Sequence, residues 1–160
     1  MIRAVTPKDE AAFVAATRAS RALHRPWVQP PTDADAFARH VARFDGVAHH
    51  GFVVEFAGEL AGAINLTNVI MGAFRSGYLG YYAFAGFERR GLMTQALNDV
   101  VRHAFRTLDL HRVEANIQPG NIASIALAKR CGFQLEGYSP KYLKIGGRWR
   151  DHERWARLKR

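Results

Sequence analysis

The chain has 160 residues, 48% of them hydrophobic and 11% aromatic, and a formal net charge of +9. That length suits one compact domain over residues 1–160 that can bury a core without disulfides, and the composition excludes a disordered chain. A single cysteine excludes an intrachain disulfide and a cysteine-based zinc site, and the seven histidines show no ligand spacing, so no metal is expected. No apolar run approaches the roughly 20 residues of a membrane helix and the first residues carry no signal-peptide core, so the expectation is a cytoplasmic protein with no membrane contact.

Residues 2–5 read as a short strand. Thr6 then caps a helix with Pro7 at its first position and acids in its first turn, running to about residue 20. Pro26, Pro30 and Pro31 break residues 24–31 into a loop, because proline removes donors and restricts its neighbours. Trp27 in that loop reads either as a packed lid residue or as one wall of a substrate groove. Thr32 can cap a second helix with Phe37, Val41 and Phe44 on one stripe, ended by Gly46. Strands follow at 51–56 and 60–69 around the turn Ala57-Gly58-Glu59, and a third at 78–84, forming an antiparallel meander.

The third strand breaks into Gly86-Phe87-Glu88-Arg89-Arg90-Gly91, and helical periodicity resumes. The helix carries Met93, Ala96, Leu97, Val100, Val101, Ala104, Phe105 and Leu108 on one face. Its first amide N–H groups have no partners within the helix, and the helix dipole, Arg89 and Arg90 all favour an anion at that end. Residues 110–117 return as a strand, so a right-handed crossover makes it a parallel neighbour of the strand ending near residue 84. After Pro119-Gly120, Asn121 can cap a further helix with Ile122, Ile125 and Ala126 inward and Ser124 in its first turn; Gly132 ends it. Cys131 reads as a small buried filler rather than a nucleophile. Residues 133–145 and 148–158 form a last hairpin with Trp149, Asp151, Glu153 and Trp155 on one face. Eight basic residues between Lys141 and Arg160 stand against Asp151 and Glu153, which puts +6 of the net charge there. This segment is either a solvated basic face or a contact for RNA, a ribosome or another acidic surface.

The basic turn lacks a G-x-G-x-x-G and a G-K-S/T sequence, so neither a Rossmann nor a P-loop site is supported. Two helix starts at the carboxyl ends of neighbouring parallel strands nevertheless face one crevice, where open α/β sheets bind ligands. FERRGLMTQAL followed by RVEANIQPGNIASIALAKRCGFQLEGY resembles the two acetyl-coenzyme A motifs of the GNAT acyltransferases, in the form of the Rim-type ribosomal-protein N-terminal acetyltransferases. The resemblance implies an α+β fold in α/β/α layers: a mixed, mostly antiparallel sheet of about seven strands, the parallel fourth and fifth splayed, flanked by about four helices. It implies acetyl-coenzyme A as co-substrate. Arg89, Arg90, Gly91, Leu92, Met93 and Thr94 would cradle the pyrophosphate, backbone groups of Tyr82, Ala83 and Phe84 would pair with the pantetheine arm, and Asn116, Asn121 and Ser124 would line the other wall. Glu88 and Met93 depart from the family's R/Q-x-x-G-x-G/A turn, and Glu88 is expected to face solvent.

Acyl transfer to an amine needs a neutral amine, a polarised carbonyl and a proton for the leaving thiolate. An α-amine with pKa near 8 costs about 1 kcal/mol to neutralise at pH 7, a lysine roughly 4.5. The tyrosine that donates this proton in many relatives falls at Ala128, so Ser124 is the candidate acid, with a structural serine as the alternative. Glu114 and Asp151 compete as base, each with an ion-pair reading beside it; the residue matching a catalytic glutamate of some relatives is Asn116. Trp27, Tyr82 and Tyr142 are candidates for acceptor contact. The expected acceptor is a protein N-terminus, which the resemblance implies is that of a ribosomal protein; a polyamine or aminoglycoside, and a non-catalytic acetyl-coenzyme A sensor or RNA-binding module, are the competing readings. A monomer and a homodimer both remain open.

Overall fold

The computed structural model describes residues 1–160. Strand β1 (Ile2–Ala4) is followed by a 3-10 turn (Pro7–Asp9), then α1 (Glu10–Ala19), a one-turn α2 (Arg21–His24) and α3 (Ala34–Ala42). The antiparallel meander is β2 (His50–Phe56), β3 (Glu59–Ile70) and β4 (Ser76–Ala83). Next come α4 (Leu92–Arg106), β5 (Arg112–Ile117), α5 (Ile122–Arg130) and the hairpin β6 (Gln134–Ile145) and β7 (Arg148–Leu158). One seven-stranded sheet has the order β1-β2-β3-β4-β5-β7-β6, with β4 and β5 parallel and every other pair antiparallel. The four longer helices match the sequence expectation, and α2 is an addition.

Each face of the sheet has its own core. On one side α4 and α5 bury Leu97, Val100, Val101 and Ala104 against Ile64, Leu66, Val113 and Ala115. This is the apolar stripe that the period of α4 requires, and burying a side chain of this size contributes about 1.5–3 kcal/mol. On the other side Phe13 and Phe37, from α1 and α3, pack on Val53, Ala63 and Phe84. The rings of Phe13 and Phe84 meet edge to face at 5.4 Å.

Several local expectations change. The cap of α3 is Asp33 rather than Thr32: its carbonyl accepts the first intrahelical bond, from the Phe37 N–H at 3.0 Å, and its Oδ1 accepts the Ala36 N–H at 2.8 Å. Ile122 is 69% exposed rather than inward, since the first turn of α5 faces a cleft and only Leu127 and Ala128 are buried. Trp155 is buried: the alternation of β7 turns it toward α5, where Lys129 lies over its ring. The Cys131 thiol is buried and burial pushes its pKa up.

The ladder between β4 and β5 stops early. Pairing runs from Ser76 with Arg112 to Leu79 with Ala115, while β4 continues to Ala83 and β5 to Ile117. Beyond Leu79 the strands diverge, and this gap positions everything that follows.

Candidate active site

A cleft of about 770 Å³ opens at the diverging ends of β4 and β5. Its floor is the edge of β4. The Phe84 N–H bonds back to the Ala61 carbonyl, so strand alternation turns the amides of Tyr81 and Ala83 toward the gap, where no strand pairs with them. Tyr81 ties β4 to α5: its hydroxyl donates to the Ser124 carbonyl at 3.0 Å, and burial pushes the phenol up to about 12. His24 fixes the other side of β4, its Nε2–H donating to the Ala83 carbonyl at 2.7 Å. Burial lowers the pKa of this imidazole, partly offset by that bond, so it is the neutral ring that sits there.

One wall is the N-terminus of α4. Gly91 caps it with φ +75°, a conformation that disfavours any side chain, and open space surrounds the position a Cβ would take. The first intrahelical bond is made by the Gln95 N–H, so the amides of Leu92, Met93 and Thr94 are unclaimed by the helix. Glu88 folds back to accept the Gly86 N–H at 2.6 Å, which spends the carboxylate on its own turn. Arg90 lies over the Phe56 ring at 4.8 Å and near the Phe87 ring, a stacking that holds its guanidinium at the rim. Arg89, Arg90 and Arg130 all line the cleft, and Arg130 Nε reaches Thr94 Oγ1 at 3.5 Å. Arg130 escaped the sequence reading, because it stands at the far end of α5, away from the helix starts that carry the anion signal.

The other wall is the start of α5, where Asn121 Oδ1 accepts the Ser124 N–H at 3.4 Å. The Ser124 hydroxyl has no protein partner. Ala128 is fully buried in the core below. From the cleft a narrower slot of about 80 Å³ continues between β4 and β5, lined by Trp27, Asn116, Gln118, Ser124 and His152. Trp27 closes it from the α2 side: its carbonyl accepts Gln118 Nε2 at 3.3 Å and its ring edge rests on Gly120. His152 is 3% exposed. Its Nδ1–H donates to the Arg150 carbonyl at 2.9 Å, which fixes the tautomer and leaves Nε2 with a lone pair and no protein partner. Sequence reading passed over this histidine, since only the register of β7 beside β5 brings it to the slot.

The remaining candidates lie elsewhere. Glu114 lines neither cleft nor slot; it shares a strand face with Arg112, and the two pair at 2.7 Å. Asp151 points to the face opposite His152, where it accepts the Tyr138 hydroxyl at 2.5 Å and the Lys141 N–H at 2.8 Å. Those two donors hold its carboxyl below the usual range, which makes it a poorer base still. Phe84 is buried with its amide already bonded to Ala61, and the same alternation turns the Tyr82 backbone to β3, so of that trio only Ala83 offers its amide to the cleft, although Tyr82 also lines it. Tyr82 packs against His24 and Phe84; its hydroxyl is buried without a partner, and burial raises its pKa. Tyr142 lines neither space, standing outside the slot with its ring 6.2 Å from His152. Nowhere do histidine, cysteine and carboxylate side chains cluster as a metal site would require, and no helix is long and apolar enough to cross a membrane.

A sheet splayed between parallel strands, with two helix N-termini facing the gap, defines an acyltransferase architecture. The chain belongs to the GNAT family: the model of the Acetyltransferase (GNAT) domain matches residues 1–134. The structure of RimJ from Mycobacterium smegmatis in complex with CoA-disulfide is 30% identical, with a TM-score of 0.90 over 98% of this chain and 80% of that one. The [Ribosomal protein uS5]-alanine N-acetyltransferase of Escherichia coli is 44% identical over 94 residues, 59% of this chain and 48% of that protein. An L-methionine sulfoximine/L-methionine sulfone acetyltransferase of Pseudomonas paraeruginosa is 33% identical over 132 residues, covering 78% of this chain and 74% of that protein. The chain spans about half the length of the first curated relatives it matches.

Proposed function

We propose that this protein transfers an acetyl group from acetyl-coenzyme A to a primary amine, namely the N-terminal α-amine of a protein. The observation that carries the reading is the cleft itself, lined by unclaimed amides at Leu92–Thr94, three arginines and the open edge of β4, and adjoined by a slot that reaches a buried histidine. The residues fit the co-substrate. Leu92 to Thr94 with Arg89, Arg90 and Arg130 would hold a pyrophosphate, and the free amides of Tyr81 and Ala83 would pair with an amide-bearing arm along the strand edge. Open space at Gly86 and Gly91 leaves the backbone reachable. Acetyl-coenzyme A supplies the activated thioester; the chain supplies alignment, a base and an acid.

In this mechanism His152 Nε2 takes the proton that the amine loses as its nitrogen bonds the acetyl carbon. The Ser124 hydroxyl, at the junction of cleft and slot, donates to the departing sulfur. Asn116 Oδ1, buried without a partner, accepts an N–H of the incoming amine and so orients its lone pair. An α-amine suits so small a base, since neutralising it at pH 7 costs only about 1 kcal/mol. The protein acceptor is supported by similarity to the RimJ structure and to the uS5-alanine enzyme. Similarity to the sulfoximine and sulfone enzyme favours a second reading, a small amino acid analogue as acceptor. Acetyl transfer measured across N-terminal peptides, amino acids and polyamines tests the proposal. Turnover of peptides beginning with a free α-amine is expected, and turnover of polyamines alone would overturn it.

A further inference from the structure

On the sheet face that carries His152, strand alternation also places Arg150 and Arg154 of β7, and the register sets Arg154 directly opposite Asn116 of β5. Trp155, Ala115 and Ile117 point the other way, into the core under α4 and α5. Three polar atoms on the first face are buried without any hydrogen-bond partner: Arg150 Nε, Arg154 Nε and Asn116 Oδ1. Two of these are a donor and an acceptor on cross-strand neighbours that do not bond each other. Buried polar groups are almost always satisfied, so three orphans on one face mark it as one that the chain's own groups leave incomplete.

The charges on this face are lopsided in a definite way. Arg112 pairs with both carboxylates, Glu114 at 2.7 Å and Glu136 at 2.5 Å. Arg150 and Arg154 form no ion pair; Glu136 senses Arg154 only at longer range, as the last of the influences that lower its pKa. Nor is Arg154 a free surface arm. It lies flat against β6 at Gly137, where any Cβ would overlap its guanidinium. A glycine there gives room for a fixed, planar cation two positions from His152 along β7, on the same face.

We infer that Arg154, assisted by Arg150, forms an acceptor subsite that binds a carboxylate carried close to the reacting amine. The inference rests on the amine-acetyltransferase reading above and narrows its substrate. A planar guanidinium matches a carboxylate with two parallel hydrogen bonds, while Asn116 Oδ1 takes the amine N–H beside it. Two unpaired guanidiniums repel a polyamine. Two sources provide the required anion: an acidic side chain near the start of a protein, and the α-carboxylate of a free amino acid.

The test compares kcat/KM for peptides beginning Ala-Asp-Glu, Ala-Gly-Gly and Ala-Lys-Lys, and for free alanine and methionine sulfone, with the whole chain and acetyl-coenzyme A. Charge-assisted hydrogen bonds of this kind predict a preference of about 10- to 100-fold for the acidic peptide, or for the free amino acid, over Ala-Gly-Gly. Arg154→Gln should collapse that ratio toward one, mainly through KM for the acidic acceptor. Arg154→Lys should restore part of it, and Arg102→Gln on the far helix should leave it unmoved. Coenzyme A binding by calorimetry shows whether each variant is folded. Should Arg154→Gln lose it, Arg150→Gln and the salt dependence of the wild-type ratio serve instead, with the preference expected to shrink as salt rises. Equal rates on acidic and neutral acceptors, or a ratio that survives Arg154→Gln, overturn the subsite. Absence of transfer to every amine would instead defeat the acetyltransferase reading. The acidic-peptide and free-amino-acid arms decide which source the site takes.

Discussion

The two sides of the gap between β4 and β5 are built from different materials. The cofactor side is backbone: unclaimed amides at Leu92–Thr94, a left-handed Gly91, and a strand edge whose partner has turned away. The proposed acceptor side is side chains, namely Trp27, Asn116, Gln118 and His152, drawn from a loop and two strands far apart in the chain. Backbone recognition constrains the sequence through glycines, caps and periodicity. Side-chain recognition leaves the choice of residue open, so one scaffold can accept different amines.

The most damaging change on the backbone side should be Gly91→Trp, which combines a strained φ with a bulky group directed into open cleft. We expect coenzyme A binding to vanish in calorimetry while circular dichroism keeps the folded signal; retained affinity would place the phosphate cradle elsewhere. On the side-chain side, His152→Ala should lower kcat by about 100-fold with little change in KM for acetyl-coenzyme A, in line with the loss of a general base. A kcat within a few-fold of wild type would remove His152 from the chemistry. Ser124 belongs to both sides, and Ser124→Ala should cost about tenfold in kcat, the scale of one hydrogen bond to a charged leaving group. If kcat is instead unaltered, water rather than serine delivers that proton. Smallest of all, Asp151→Asn should leave both kcat and KM unchanged, since this carboxylate faces Tyr138 and Lys141 away from the slot. Any sizeable loss of activity would mean that the hairpin face has been assigned to the wrong side.

The same division explains what could be read before the structure. The stripe of α4 from Met93 to Phe105 is visible as a period, and every residue of it that packs is where helical spacing puts it. The basic turn and the Asn121 cap carry local signatures. By contrast, Thr32 and Asp33 are both competent caps, and only the point where the helix makes its first backbone bond, Phe37 N–H to the Asp33 carbonyl, decides between them. Glu114 and Arg112 stand two apart on one strand, so their pairing was one of two readings until the face was known. His152 was legible as a residue but not as a site, because its meaning depends on β7 inserting between β5 and β6. Two register shifts in β6, after Leu135 and after Ser139, further scramble which hairpin residues share a face. No local signal marks them.

The shortness of the β4–β5 ladder also bears on how the molecule comes apart. Strands β1 to β4 and strands β5, β7 and β6 meet along four residue pairs, Ser76–Leu79 against Arg112–Ala115, with the Arg75 carbonyl adding bonds to His111 and Arg112. Helix α4 packs across β1 to β5 and therefore acts as a strap over the seam, in addition to that short ladder. The opening that admits a ligand thus weakens the sheet where it is narrowest, and the helix that presents amides to that ligand is the one that compensates. Hydrogen exchange gives this a measurable form: the amides of Leu79 and Glu114, which strand alternation turns across the seam, should exchange with the global unfolding event, together with those of β2 and β3. Faster exchange at the seam alone would mean that the two half-sheets breathe apart independently. Cooperative unfolding, on this view, is held by a helix together with a short stretch of sheet.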